Sequence, residues 1–359
     1  MKNLFYYATK ELSQDAFIMW LISNYDEEDN PELMDVSLSF ISFLTNNAID
    51  KETLKNSRIE VFSQVDHTDV SIDIYTNKES KMHDIIVIED KVGSSEHNQL
   101  IDYNEAIDKK WKNKERVFKV FYKTGKVTEK DINGLKKANN DNKTGEWVLY
   151  DLDRIYGFFK DKTNSKSQVL NDYISFLEHI NKALNYETDD EIKKWKSYHW
   201  EGFANAFLQK YDNSKSDKEE YVWVDSYQGR YTSICYQRCL PNSKDATVIE
   251  FFVRNGNKIT AVLHHAFYDG TERRKWSVEK CEHFKDEKEL LRKQLRKYIS
   301  EIAGTPGYEK IGTVKSNASK SFGKISSEPI SVDSIKDVES RFEEWINLFI
   351  KVVDNFKQD

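Results

Sequence analysis

Four prolines and three cysteines are spread over 359 residues, and no apolar run approaches the roughly 18 residues of a membrane-crossing helix. Scarce proline leaves no proline-rich linker to mark a boundary. Cys235, Cys239 and Cys281 cannot pair completely and contain no Cys-x-x-Cys spacing, so a disulfide framework and a cysteine zinc site are set aside and reduced thiols are expected. Positive charge is not in excess either. Fifty-four Lys and Arg against 61 Asp and Glu leave a formal charge of -7, which excludes a chain that coats nucleic acid nonspecifically but not one with a local basic cleft. A Walker-type phosphate loop is absent, and with it any visible NTPase engine. The N-terminus places Lys10 and Glu11 where a signal peptide carries its apolar region, so a cytoplasmic protein is expected.

What is present is a folding chain: 38% apolar residues, with 20 Phe, 19 Tyr and 8 Trp, in a length that exceeds one ordinary domain. The first half reads as mixed α/β. A helix is expected over 13–22, with Ser13 as N-cap, and another over 35–46. RIEVFSQV (58–65) and DVSIDIYT (69–76) carry strand-type residues, and DIIVIED (84–90) is an apolar run suited to a strand buried on both faces. Gly93 breaks that strand, and Ser94 or Ser95 can cap a helix carrying Leu100, Tyr103 and Ile107. A strand (116–125), a short helix (128–138) and a strand (146–152) follow. Beyond about residue 161 come helices near 167–184 and 190–208, an aromatic β-rich region with a hairpin signal at Asn255-Gly256, and closing helices over 286–302 and 331–356. The expected division is 1–185 and 186–359, the second an α+β domain with an antiparallel, aromatic-rich sheet.

Three charges, Glu89-Asp90-Lys91, end the buried strand. Alternation sets Glu89 and Lys91 on one face and Asp90 on the other. Asp73 interrupts the apolar alternation of 69–76, and if the two strands pair it can approach Glu89. Two carboxylates that close repel unless a cation lies between them. A hard, oxygen-seeking ion suits the pair, Mg²⁺ being the commonest, with Mn²⁺ as a substitute. A metal there lowers the pKa of bound water, and Lys91 can orient that water or neutralise charge on a phosphate.

Asp73 with Glu89-x-Lys91, followed by Gln99-Leu-Ile-Asp-Tyr103, resembles the core of the PD-(D/E)XK nuclease superfamily and the Gln-x-x-x-Tyr helix of its RecB-like branch. FYYATKELSQDAFIMWLI is similar to the entry segment of one bacterial family in that superfamily. The resemblance covers about residues 1–160. It implies a restriction-endonuclease-like core, a mixed β-sheet flanked by helices, and a Mg²⁺-dependent nuclease acting on DNA, with Asp73, Glu89 and the Asp90 carbonyl on the metal. Lys91 is then catalytic, Glu11 and Gln99 support the site, and Tyr103 contacts substrate. Asp15 suits a helix-dipole role instead. The superfamily's proline is replaced by Ile72.

Elsewhere the signals are weaker. KKWKNKER (109–116), RRK (273–275) and LRKQLRK (291–297) read as solvated faces with a secondary reading as phosphate contacts. Tyr221, Trp223, Tyr227, Tyr231 and Tyr236 read as core before base-stacking. A partner or regulatory role for the second domain, homodimerisation, and a place in restriction or phage defence are carried as expectations. So is the alternative of an inactive nuclease-fold module that binds nucleic acid or protein.

Overall fold

The computed structural model describes residues 3–7, 11–65, 68–76, 83–92, 99–111, 116–140, 144–162, 166–185, 191–212, 220–227, 231–241, 245–254, 257–265, 278–314 and 321–357. The chain forms two compact units, Met1–Leu184 and Asn185–Asp359. Gly93, Ser94, Ser95, Asn255-Gly256 and RRK lie outside the described residues.

The first unit is built on one mixed sheet in the order β1 (Arg58–Val65), β2 (Thr68–Tyr75), β3 (Asp84–Lys91), β4 (Val117–Lys123) and β5 (Trp147–Tyr150). β1, β2 and β3 are antiparallel, whereas β3, β4 and β5 are parallel and joined through α4 (Gln99–Lys110) and α5 (Glu129–Asn140). Every residue of β3 is buried, as its apolar run requires of a central strand. On one face Ile85, Val87 and Phe121 pack against Leu100 and Ile107 of α4 and Ala138 of α5. The opposite face meets α1 (Glu11–Ser23), α2 (Pro31–Leu44) and α7 (Gln168–Leu184), with α6 (Leu152–Phe159) beside α7. Phe17 stacks on Tyr173 there at 3.6 Å between ring centroids, and Phe40 stands edge-on to Tyr122. Burial of each such ring contributes about 2–3 kcal/mol.

Two helix starts differ from the sequence reading. α1 begins at Glu11, so Ser13 lies inside the helix and does not cap it. α2 begins four residues early because Asn30 Oδ1 accepts from Leu33 N at 3.2 Å and Pro31 fills the first helical position. α3 (Lys51–Lys55) is a single capped turn behind Asp50.

The second unit holds a six-stranded antiparallel sheet in the order β10 (Ile311–Gly312), β11 (Ser321–Ser331), β9 (Lys258–His265), β8 (Ala246–Arg254), β7 (Tyr231–Cys239) and β6 (Glu220–Tyr227). Its core joins Ile249, Phe251 and Leu263 to side chains of α8 (Ser197–Asp212), α9 (Val278–Ile302) and α10 (Ile335–Asn355). A capping box between Ser334 and Asp337 starts α10. Tyr236 is buried beside Phe349, whereas the side chains of Tyr221, Trp223, Tyr227 and Tyr231 lie outside the described residues.

Two basic runs are more than solvated faces. In LRKQLRK, Leu291, Leu295 and Arg292 are buried, and Arg292 Nη1 donates to Glu289 Oε2 at 2.6 Å. In KKWKNKER, Trp111 is buried and Arg116 grips Asp84 through Nε and Nη2 at 3.1 and 2.6 Å. Apolar anchoring and paired carboxylates account for these positions without a phosphate. No helix among the described residues is long and apolar enough to cross a membrane.

Candidate functional site

Glu89, Asp90 and Lys91 close β3 at 1%, 0% and 5% exposure. Burying a charge costs several kcal/mol unless neighbours compensate, so the partners define this strand end. Glu89 and Lys91 share the face of Ile85 and Val87, toward α4; Asp90 points toward α1. Lys91 Nζ lies 2.6 Å from Glu89 Oε1.

The β2–β3 register corrects the expected partner of Glu89. Val70 lies opposite Ile88, and Asp73 opposite Ile85. One further step brings Asp69 opposite Glu89, while Asp73 is left about 13 Å down the strand. Asp73 Oδ2 sits 3.1 Å from His83 Nε2, and the His83 ring packs on Tyr75. The reason is geometric. Alternation gives Asp69 and Asp73 the same face, but the ladder is set by Val70 and Ile72 meeting Ile88 and Ile86, which puts Asp73 opposite Ile85, four residues short of Glu89. Asp69 Oδ2 accepts from Asp90 N at 2.8 Å, holding the backbone where the ladder ends.

Helix α1 contributes differently from expectation as well. Glu11, its first residue, is half-buried, and its charge reaches Asp15, Asp90 and Lys91. Asp15, one turn on, is buried in the acidic cluster and is not a solvated dipole partner. Burial pushes its carboxyl up to about 7, the Asp69 charge adding to the effect. Burial and then Asp15 raise Asp90 well above the carboxylate range. Asp15 Oδ1 and Asp90 Oδ2 are both buried without a hydrogen-bond partner among the described residues, and the two carboxyls act on each other, so holding a proton between them relieves both.

Burial also pushes Glu89 up to about 8, with Lys91 pulling down and Asp69 pushing back. For Lys91, burial alone would lower the ammonium's pKa, but the Glu89 charge and hydrogen bond outweigh it and hold the group above its ordinary value. Gln99 opens α4, and its Nε2 lies 3.4 Å from the Tyr103 hydroxyl one turn later. Burial, then the Glu89 and Asp69 charges, hold the Tyr103 phenol above its ordinary range. Gln99, Tyr103, Glu89, Lys91, Asp69, Asp15 and Glu11 therefore belong to one electrostatic neighbourhood; Asp73 does not.

Among the described residues no group of three His, Cys, Asp or Glu side chains forms a metal-holding cluster. The local donors are nevertheless all oxygen, from Asp69, Glu89 and the Asp90 carbonyl, and Glu89 Oε2 receives no hydrogen bond from the described residues. That set fits a hard divalent cation whose remaining ligands come from water or substrate. Asp69 and Gln14 were missed in the sequence, and Asp15 was read as a helix-dipole partner only. The available signal was Asp69 itself, the acid at the start of the Val70, Ile72, Ile74 alternation. No family model, curated protein or solved structure matches the chain.

Proposed function

We propose that the Met1–Leu184 unit is a PD-(D/E)XK-type nuclease with a restriction-endonuclease-like core, hydrolysing phosphodiester bonds in DNA with a divalent cation. The observation that carries this reading is the buried strand end where Asp69 faces Glu89 and the Lys91 ammonium lies 2.6 Å from the Glu89 carboxylate. Asp69, Glu89 and the Asp90 carbonyl would hold Mg²⁺, or Mn²⁺ in its place. Such an ion, when bound, supplies an activated water and Lewis acidity toward a phosphate oxygen. Glu89 keeps Lys91 protonated, so Lys91 serves as a hydrogen-bond donor and fixed positive charge for the water or for the pentacoordinate phosphate, and not as a base. The protonated Tyr103 phenol and the Gln99 amide add donors on the same side. Asn185–Asp359 is assigned to substrate recognition, partner docking or restraint, and a DNA cutter that its host must restrain suits restriction or phage defence.

Linear, circular and single-stranded DNA, and RNA, incubated with and without Mg²⁺, test this function. Lys91→Ala should abolish cleavage while metal binding and folding persist; full activity in that variant removes the mechanism. A second reading, a nuclease-fold module without turnover, draws on the Lys91–Glu89 ion pair and the lack of a three-ligand cluster among the described residues. Calorimetry with Mn²⁺ separates them, because the module predicts no binding in the wild type or equal binding after Asp69→Ala.

A further inference from the structure

Gln14 is a buried amide, 3% exposed, to which the proposed chemistry gives no part. From α1 its Nε2 donates to Asp90 Oδ1, while its Oε1 accepts from Thr124 Oγ1 at 2.8 Å and from the Tyr173 hydroxyl at 3.4 Å. The Tyr173 hydroxyl lies 3.1 Å from that of Tyr122, and Thr124 N donates to Lys91 O at 3.1 Å. One side chain thus ties together α1, the ends of β3 and β4, and α7.

We infer that Gln14 is a positioning residue of the proposed site: its amide fixes the Asp90 carboxylate and, through it, the backbone that presents Glu89, the Asp90 carbonyl and Lys91. The inference rests on the nuclease reading above. Asp90 is held at two points, its N–H by Asp69 and one carboxyl oxygen by Gln14. With both in place the Asp90 backbone and side chain are tied to β2 and α1, and the side chains on either side of it keep fixed directions. Outer partners of this kind set the geometry of ligands they do not touch. Only an amide serves at position 14. It must donate to a carboxylate on one side and accept from two hydroxyls on the other, which also fixes the orientation of the amide. A glutamate there would set a third carboxyl against Asp90 and Asp15 and could donate only by binding a further proton, and a methionine would orphan the Asp90 carboxyl and the hydroxyls together.

The decisive experiment is a polarity swap read by Mn²⁺ calorimetry, thermal unfolding and DNA cleavage. Gln14→Glu and Asp90→Asn should each weaken Mn²⁺ binding about 10–100-fold in protein that is still folded. The double variant Q14E/D90N restores a donor facing an acceptor with the roles reversed, and should recover affinity to within about threefold of wild type. A residue that only supports folding would lower Tm and leave the Mn²⁺ affinity of the folded fraction unchanged. Folded Gln14→Glu protein with wild-type affinity, or a double variant no better than the singles, overturns the inference. Should Gln14→Glu fail to fold, Tyr173→Phe deletes one hydroxyl from the relay and keeps the ring packing; affinity equal to wild type in that variant also overturns it. A wild type that binds no Mn²⁺ removes the nuclease function and this inference together, whereas wild-type binding with an indifferent Gln14 removes the inference alone.

Discussion

Two substitutions on one strand, Asp69→Asn and Asp73→Asn, separate the observed register from the one that polarity alone suggests. Both acids face the same side of β2, and both changes remove one charge at nearly constant volume. In Asp69→Asn the new amide retains an oxygen to accept from Asp90 N, so the end of the ladder survives. A carboxylate about 4 Å from a divalent cation gains on the order of 8 kcal/mol at an effective dielectric of 20. Dehydration of the carboxylate takes back half or more of that. Asp69→Asn should therefore cost about 2–4 kcal/mol of binding, roughly 30- to 1,000-fold in the Mn²⁺ dissociation constant. Asp73 stands about 13 Å from Glu89, where water and a Debye length of about 8 Å leave roughly 0.1 kcal/mol. Its replacement should change affinity by less than about twofold. Mn²⁺ calorimetry at about 0.15 M salt measures both. An Asp73→Asn loss equal to or larger than that of Asp69→Asn would refute the register and return Asp73 to the site.

Three further outcomes are expected. Glu89 titrates near 8 in the folded protein against an ordinary value of 4.5, so the unfolded chain releases a proton that the native state keeps and metal-free stability falls as pH rises from about 4.5 to 8. Urea unfolding in chelator should show that decline, and Glu89→Gln should flatten it in part, because Asp15 contributes with the same sign; an unchanged slope would contradict the burial of Glu89. Lys119 is buried, its Nζ donating to Asn104 Oδ1 at 2.8 Å while Trp147 Nε1 donates to the same oxygen, and burial lowers its pKa to about 8. The unfolded state then binds the extra proton between about 8 and 10.5, so wild-type stability gains as pH rises through that window. Lys119→Met, with Trp147 still satisfying Asn104, should equal or exceed wild type by roughly 1–3 kcal/mol at pH 7 and lose that advantage near pH 10.5, as denaturant unfolding at both pH values would show. Trp345 is fully buried against Phe251, and Trp345→Ala should cost about 3–5 kcal/mol in the unfolding of the second unit.

The parts of the fold that were readable in advance are those that a short window determines. A continuous apolar run became the central strand β3, alternation assigned Glu89 and Lys91 to one face, and the four-residue spacing of Gln99 and Tyr103 placed them one turn apart on α4. Register is different in kind. A period of two tells which face a residue takes and nothing about its position along the strand, so Asp69 and Asp73 were equivalent until the pairing of Val70 with Ile88 separated them. Asp15 misled for a related reason. Behind a Ser13 cap Asp15 would stand in the first turn, where an acid is worth a few tenths of a kcal/mol to the dipole wherever the helix lies; with α1 starting at Glu11 that reason lapses, and the packed sheet end takes its place.

Gln14 marks the limit most sharply. Its hydrogen-bond partners Asp90, Thr124 and Tyr173 stand 76, 110 and 159 residues away in the chain, on β3, just past β4 and on α7. No window centred on Gln14 contains a reason for an amide there. Yet the requirement is strict, because each of those polar groups is buried and a group left unsatisfied costs about 1–3 kcal/mol. Buried polarity is thus the component of a site least visible in sequence and most tightly specified in structure. Substitutions at Gln14 should accordingly be tolerated only when a partner changes polarity with it, which is the pattern the Q14E/D90N pair is built to reveal.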